Sequence, residues 1–186
     1  MVDKKKLIDK TLEYGFEFGL NHSNRILHLV SELAQGKQYD EDAVWIAAHL
    51  HDWGGYAPWL TPGVDHVVRS VEVAGEYLAA EGCEPELAEL VIECIKYHHG
   101  GPAERSFESK LFADADAIEL LGAMGFARVF SMNHRNLKTG IAALEKFREM
   151  SIAAISLDQS RVIAEKRVAE MDAMIKSFRE QSFGLL

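Results

Sequence analysis

Apolar residues recur along this chain at three- and four-residue intervals almost from end to end, and no segment sustains the two-residue alternation of a half-buried strand. With only four prolines to interrupt it, such a pattern folds as packed helices. The expected class is all-α, a helical bundle. The pattern predicts a first helix from Asp3 to about Phe18, bounded by Gly15 and Gly19. A second runs from Asn21 through Ile26, Leu29, Val30 and Leu33 to a stop at Gly36. Asp40 can cap the next, which carries Val44, Ala47, Ala48 and His51 and ends at Gly54-Gly55. A loop follows to Gly63, displaying Trp53 and Trp59. Asp65 opens a helix with Val67, Val71, Ala74 and Leu78 on its inner face, closing at Gly82. Glu84-Pro85 starts another, with proline at the first helical position, that runs to Gly100-Gly101-Pro102. Further helices are predicted over 105–119, 122–132, 138–152 and 158–181.

The 186 residues suit one domain, 1–186, with no repeat and no linker long enough to divide it. No apolar run approaches the roughly 20 residues of a membrane span. The basic start, Met-Val-Asp-Lys-Lys-Lys, leads into Leu-Ile-Asp-Lys rather than an apolar stretch, so no signal peptide is read there. Cys83 and Cys94 lack metal or redox spacing and read as reduced thiols of a cytoplasmic protein. The net charge of −9 is uneven: residues 135–186 hold nine Lys/Arg against seven Asp/Glu, leaving −11 for the first 134. An acidic surface there would repel a nucleic-acid duplex, so the expected partner is a small molecule.

Four residues stand out on this acidic portion. His22 shares a helix face with Ile26, Leu29 and Leu33. His51 ends the stripe of Val44, Ala47 and Ala48 and is followed by Asp52. Asp116 lies one turn after Phe112 and one before Leu120. Imidazole and carboxylate together suit a divalent transition metal. A carboxylate turned into a core is costly unless paired or metallated, and coordination removes that conflict. Asp114 could supply the last ligand instead, but it sits on another face and is better placed to anchor an imidazole or backbone.

Read in order, these residues resemble the HD-domain superfamily of metal-dependent phosphohydrolases, of the bacterial stand-alone type. His22-Ser-Asn-Arg25-Ile26 matches the first motif, and Trp45-Ile-Ala-Ala-His-Leu50-His51-Asp52 the second. Asp114-Ala-Asp116, with Leu121-Gly-Ala-Met-Gly125-Phe-Ala-Arg128, matches the third. Glu145-Lys-Phe-Arg-Glu and Ile163 to Met171 are similar to that group's last helices, so the likeness spans about 15–180. Ala117 departs from the basic residue that many relatives carry there. The resemblance implies one divalent ion of the Mn, Mg, Fe, Co or Ni class on His22, His51, Asp52 and Asp116, with a second possible.

His66, His98 and His99 form a further group, His98 on the inward face of Leu87, Val91 and Cys94. Three roles are open: a second metal site of the kind some HD phosphodiesterases hold, a cationic cradle for a substrate phosphate, or polar core histidines. Arg25, one turn from His22, could grip a phosphate bidentately or pair with Glu32 or Asp52. His28 and His49 lie off the ligand faces, and His134 falls in a polar turn. Arg128 has no chemistry that sequence alone assigns. No nucleophile motif or phosphate-cradling glycine loop is present.

The resulting expectation is a phosphohydrolase that uses metal-activated water on a phosphomonoester or phosphodiester, a nucleotide foremost. Asp52, Arg25 and His98 would act in catalysis, and Arg25, His66, His98 and His99 would hold the substrate. Trp53, Tyr56 and Trp59 could stack on a base or pack over the site. Two rivals are an HD-type diiron oxygenase acting on a small polyol or phosphonate, and a non-catalytic metal- or nucleotide-binding module.

Overall fold

The computed structural model describes residues 2–133 and 136–186, so His134, expected in a polar turn, lies outside the described residues. Among the described residues the chain is helical and has no strand, as the periodicity predicts. The elements are α1 (Lys4–Ala34), α2 (Glu41–Leu50), a 3-10 turn (Trp53–Gly55), α3 (His66–Ala80), α4 (Pro85–Lys96), α5 (Phe107–Glu119), α6 (Gly122–Met132), α7 (Leu137–Ala154) and α8 (Asp158–Gln181). Their starts are chemically marked. Asp3, Asp40, Asp65, Ser106 and Asn136 each accept a hydrogen bond from a backbone N–H of the first turn, and Pro85 opens α4.

α5 is the hub. It packs against α1, α2, α4, α6, α7 and α8, and every residue from Leu111 to Glu119 is buried. A helix enclosed on all sides should be apolar throughout, yet this one carries Asp114, Asp116 and Glu119. Asp114 solves its burial structurally. Its carboxylate accepts from the backbone N–H groups of Ser156 and Leu157, both at 2.8 Å, and from the Ser156 hydroxyl at 3.0 Å. It therefore ties the α7–α8 turn to the hub, the backbone-anchoring role expected of it. Asp116 and Glu119 have no such backbone partners among the described residues, and the site explains them.

Three local expectations are corrected. The first two predicted helices are one, α1, kinked where Phe16 takes φ 55° and ψ −171°. Gly15 and Gly19 do not end a helix there. A Cβ on either would lie within 2.6 Å of the Tyr56 hydroxyl, so the two glycines form a slot for that ring. Second, the Trp53–Gly63 segment buries Trp53 and leaves Trp59 half-buried. Trp53 is buried, donates from its indole to Thr11 at 3.3 Å and stacks on Trp59 with ring centroids 4.5 Å apart. Trp53 is packing, not a displayed platform for a base. Third, α3 buries Ser70, Val73, Ala74 and Leu78, leaving Val67 and Val71 only half-buried. Its first turn lies directly on Gly54, where a Cβ would stand 2.4 Å from the His66 carbonyl oxygen and the Ser70 nitrogen. That contact seats the start of α3, with His66 as its first residue, against the turn that follows Asp52.

Candidate metal centre

Four elements deliver the site: the middle of α1, the end of α2, the turn after it and the last turns of α5. His22 and His51 point their Nε2 atoms at each other, 3.2 Å apart, within the core. The Asp52 Oδ2 lies 3.3 Å from the His51 Nε2 and 3.7 Å from the His22 Nε2. The Asp116 Oδ1 lies 3.3 Å from the same His22 nitrogen. Ligand atoms of His22, His51 and Asp52 all fall within 4.8 Å of one another. The structure thus brings together all four residues singled out as metal ligands, with Asp116 approaching from the hub beside the other three.

The far side of each ring is fixed. His51 Nδ1 faces the Ala48 carbonyl at 3.1 Å, and His22 Nδ1 faces a Glu119 carboxylate oxygen at 3.2 Å. A hydrogen on Nδ1 that is donated to an acceptor leaves the Nε2 lone pair for a metal. Electrostatics agree with geometry. Burial penalises the charge of Asp52, but His51 and His22 overcome that and hold its carboxyl well below the usual range. Burial likewise opposes charge on Asp116, and its hydrogen bond to His22 outweighs it, so this carboxyl too is pushed down. His22 is desolvated, which lowers its pKa, yet hydrogen bonds to Asp116 and Glu119 raise it to about 9. Negative charge in this core thus calls for a cation, and in a metal-free protein the His22 proton supplies it.

A second cluster adjoins the first. His66, His98 and His99 also bring ligand atoms within 4.8 Å of one another. The His51 and His98 rings have centroids 5.2 Å apart, and the Asp52 Oδ1 lies 4.0 Å from the His66 Nε2. Asp52 therefore turns one oxygen to each cluster. His98 is buried and its Nδ1 meets the Ile95 carbonyl at 2.6 Å, leaving a buried Nε2 with no hydrogen-bond partner among the described residues. Burial, with His51 beside it, lowers the His98 pKa to about 3, so the ring stays neutral. A neutral ring with an orphaned lone pair suits a metal ligand better than a cationic cradle. His66 and His99 lie at the mouth, half-buried and exposed respectively.

Residues 19–121 match the HD domain family model, more than half of the chain. The chain belongs to the HD domain family. No curated protein matches it. Its fold is similar to that of a predicted HD superfamily hydrolase from an uncultured Thermotogales bacterium, at 23% identity, covering 95% of this chain and 89% of that one, with a TM-score of 0.63. Bacillus subtilis YpgQ, solved in complex with ADP, is 23% identical, with 96% and 97% covered and a TM-score of 0.67. An HD-superfamily hydrolase from Bacillus thuringiensis is 19% identical, with 95% of each chain covered and a TM-score of 0.65. HD domains bind divalent metals, and the His/Asp groups of this HD domain are of the kind that can hold one.

Other expected residues settle elsewhere in the domain. Arg25 donates from Nε to the Glu119 Oε1 at 2.6 Å, so its partner is neither Glu32 nor Asp52. It also lines a groove of about 750 Å³ between α1, α6 and α8. His28 is exposed, while His49 is buried and bound through Nδ1 to the Trp45 carbonyl at 2.8 Å. The residue that sequence reasoning missed is Glu119, which is buried and hydrogen-bonded to Arg25 and Arg128. Its signal was available: it lies three residues after Asp116, on the same side of the helix.

Proposed function

We propose that this HD domain is a metal-dependent phosphohydrolase acting on a small phosphorylated substrate, a nucleotide foremost. The observation that carries the reading is the convergence of the His22 and His51 Nε2 atoms on the Asp52 carboxylate, with Asp116 beside them. The donor set, two imidazoles and two carboxyls held below their usual range, fits a divalent ion. Such an ion supplies a Lewis acid for a phosphoryl oxygen and lowers the pKa of water. Neither cysteine offers a rival nucleophile: burial pushes the thiols of both Cys83 and Cys94 up, away from the reactive thiolate. Asp52, at the mouth and partly exposed, orients the attacking water. Arg25 has its Nε engaged by Glu119, and its terminal nitrogens remain for a substrate oxygen. The nucleotide is supported by the ADP held by YpgQ of the same fold.

His66, His98 and His99 would hold a second ion beside the first, with one Asp52 oxygen turned to each group, and this is the favoured form of the site. The orphaned His98 Nε2 supports it against the phosphate-cradle role. The test is metal analysis of protein purified without chelator, followed by a panel of nucleoside mono-, di- and triphosphates, phosphomonoesters and phosphodiesters with magnesium, manganese or cobalt. Phosphate release from a nucleotide by a colourless protein is the expected result. A visible absorption band from aerobically purified protein, with no hydrolysis, would favour the diiron oxygenase. Bound metal with no turnover of any substrate would favour the binding module.

A further inference from the structure

His22 is gripped from behind by a group that no ligand role explains. Glu119 is 1% exposed, accepts from the Arg25 Nε at 2.6 Å, and is also bonded to the Arg128 Nη1. We infer that Glu119 is a positioning residue that commits His22 to metal binding, with Arg25 and Arg128 holding its carboxylate in register. This inference rests on the metal site proposed above.

The geometry poses a choice at one atom. A neutral imidazole ligates through Nε2 only when the hydrogen sits on Nδ1. Two neighbours compete for that Nδ1: the Glu119 Oε2 at 3.2 Å, which can only accept, and the Arg128 Nη1 at 2.9 Å, which can only donate. Donation from Arg128 to the ring would leave the hydrogen on Nε2, aimed at the cluster, and coordination there would be blocked. Glu119 removes the conflict because one of its oxygens accepts from both. The Arg128 hydrogen and the Nδ1 hydrogen then point at Oε2, and the Nε2 lone pair faces His51, Asp52 and Asp116. Glu119 lies on the Nδ1 side of the ring, behind the ligating atom, so it is not a further ligand. Arg25 fixes the other oxygen and stops the carboxylate rotating away.

Three proteins test this: the parent, Glu119→Leu, and the double variant Glu119→Leu/Arg128→Leu. Manganese affinity is measured by calorimetry, and the His22 Nδ1–H resonance is followed by nuclear magnetic resonance in the zinc-loaded protein. The single variant should bind manganese about 10–100-fold more weakly, the usual cost of losing a carboxylate behind a metal-bound histidine. Its slowly exchanging Nδ1–H signal should vanish. The double variant should recover part of the affinity, because the competing donor is gone, while staying weaker than the parent. A single variant that binds as the parent does, or a double variant no tighter than the single one, would overturn the positioning role. If the single variant does not fold, the double variant decides alone: parental affinity overturns the inference, and weakened affinity with the Nδ1–H signal lost supports it. A parent that binds no metal would instead overturn the site itself, and the positioning role with it.

Discussion

The two histidine clusters share Asp52 but are built differently. The first is wired into the core: His22, His51 and Asp116 are buried on three helices, and each imidazole is held at Nδ1 by an acceptor. The second hangs on the ends of α3 and α4, with one buried ring, His98, and two rings at the rim. Rigid, fully partnered ligands lose little freedom on binding, whereas rim side chains must be ordered by the ion itself. The first cluster is therefore expected to hold its ion tightly and the second to load last and empty first.

Asp52 is where that contrast can be broken most completely. Asp52→Ala should empty both clusters and abolish hydrolysis while the far-ultraviolet circular dichroism stays helical, because Asp52 lies at the rim and not in the core. Full stoichiometry of either ion in that variant would separate the clusters. The next largest effect concerns the hub. Asp116→Asn should weaken metal binding by more than the roughly 10–100-fold expected for an outer-shell partner. Asp114→Asn should spare the metal and instead destabilise the fold by about 1–3 kcal/mol through lost hydrogen bonds to the α7–α8 turn, read from denaturant unfolding. Equal metal losses in the two would dissolve the distinction.

His98→Ala/His99→Ala should remove one ion of two and leave the first cluster loaded. If that second ion stabilises the transition state, the rate should fall by about 10²–10³. Protein that keeps two ions after this change would refute the second site. Gly54→Ala sharpens the same point from a distance. An added Cβ would meet the backbone of His66 and Ser70 at 2.4 Å, so α3 must shift and carry His66 with it. Reduced occupancy of the second site alone, by metal titration, is the expected result.

The smallest effect is the pH dependence of the metal-free protein, where the clusters should act in opposite directions. The His22 pKa is raised from 6.5 to about 9, so its stabilisation is fully present below 6.5 and is lost as pH rises to 9. That of His98 is lowered from 6.5 to about 3, so the unfolded chain takes up a proton first and stability falls as pH drops from 6.5 toward 3. Thermal melts of chelator-treated protein should peak near the middle, and His98→Ala should flatten the acid limb. A melting temperature that rises steadily to pH 9 would contradict the His22 assignment.

What could be read from the sequence follows the same division. Helical periodicity identified the all-α class, the caps at Asp40 and Asp65 and the starts of α4, α6 and α8, because these depend on neighbours within a turn or two. The first cluster was legible in part for the same reason: His22, His51 and Asp116 each interrupt an apolar stripe, where a polar group needs a partner, and it was the resemblance of their order to the HD motifs that joined them with Asp52 into one set. Tertiary structure alone decided the rest. The Phe16 kink, the Gly15–Gly19 slot for Tyr56 and the seating of Gly54 on α3 depend on residues far apart in the chain. So does the capture of Arg25 by Glu119, across 94 positions, in place of its near neighbours Glu32 and Asp52. The second cluster joins the ends of α3 and α4, where no periodicity persists to say which way a side chain points. Local sequence fixes dihedrals and faces, and it is the packing of α5 among six other helices that chooses which polar groups must meet.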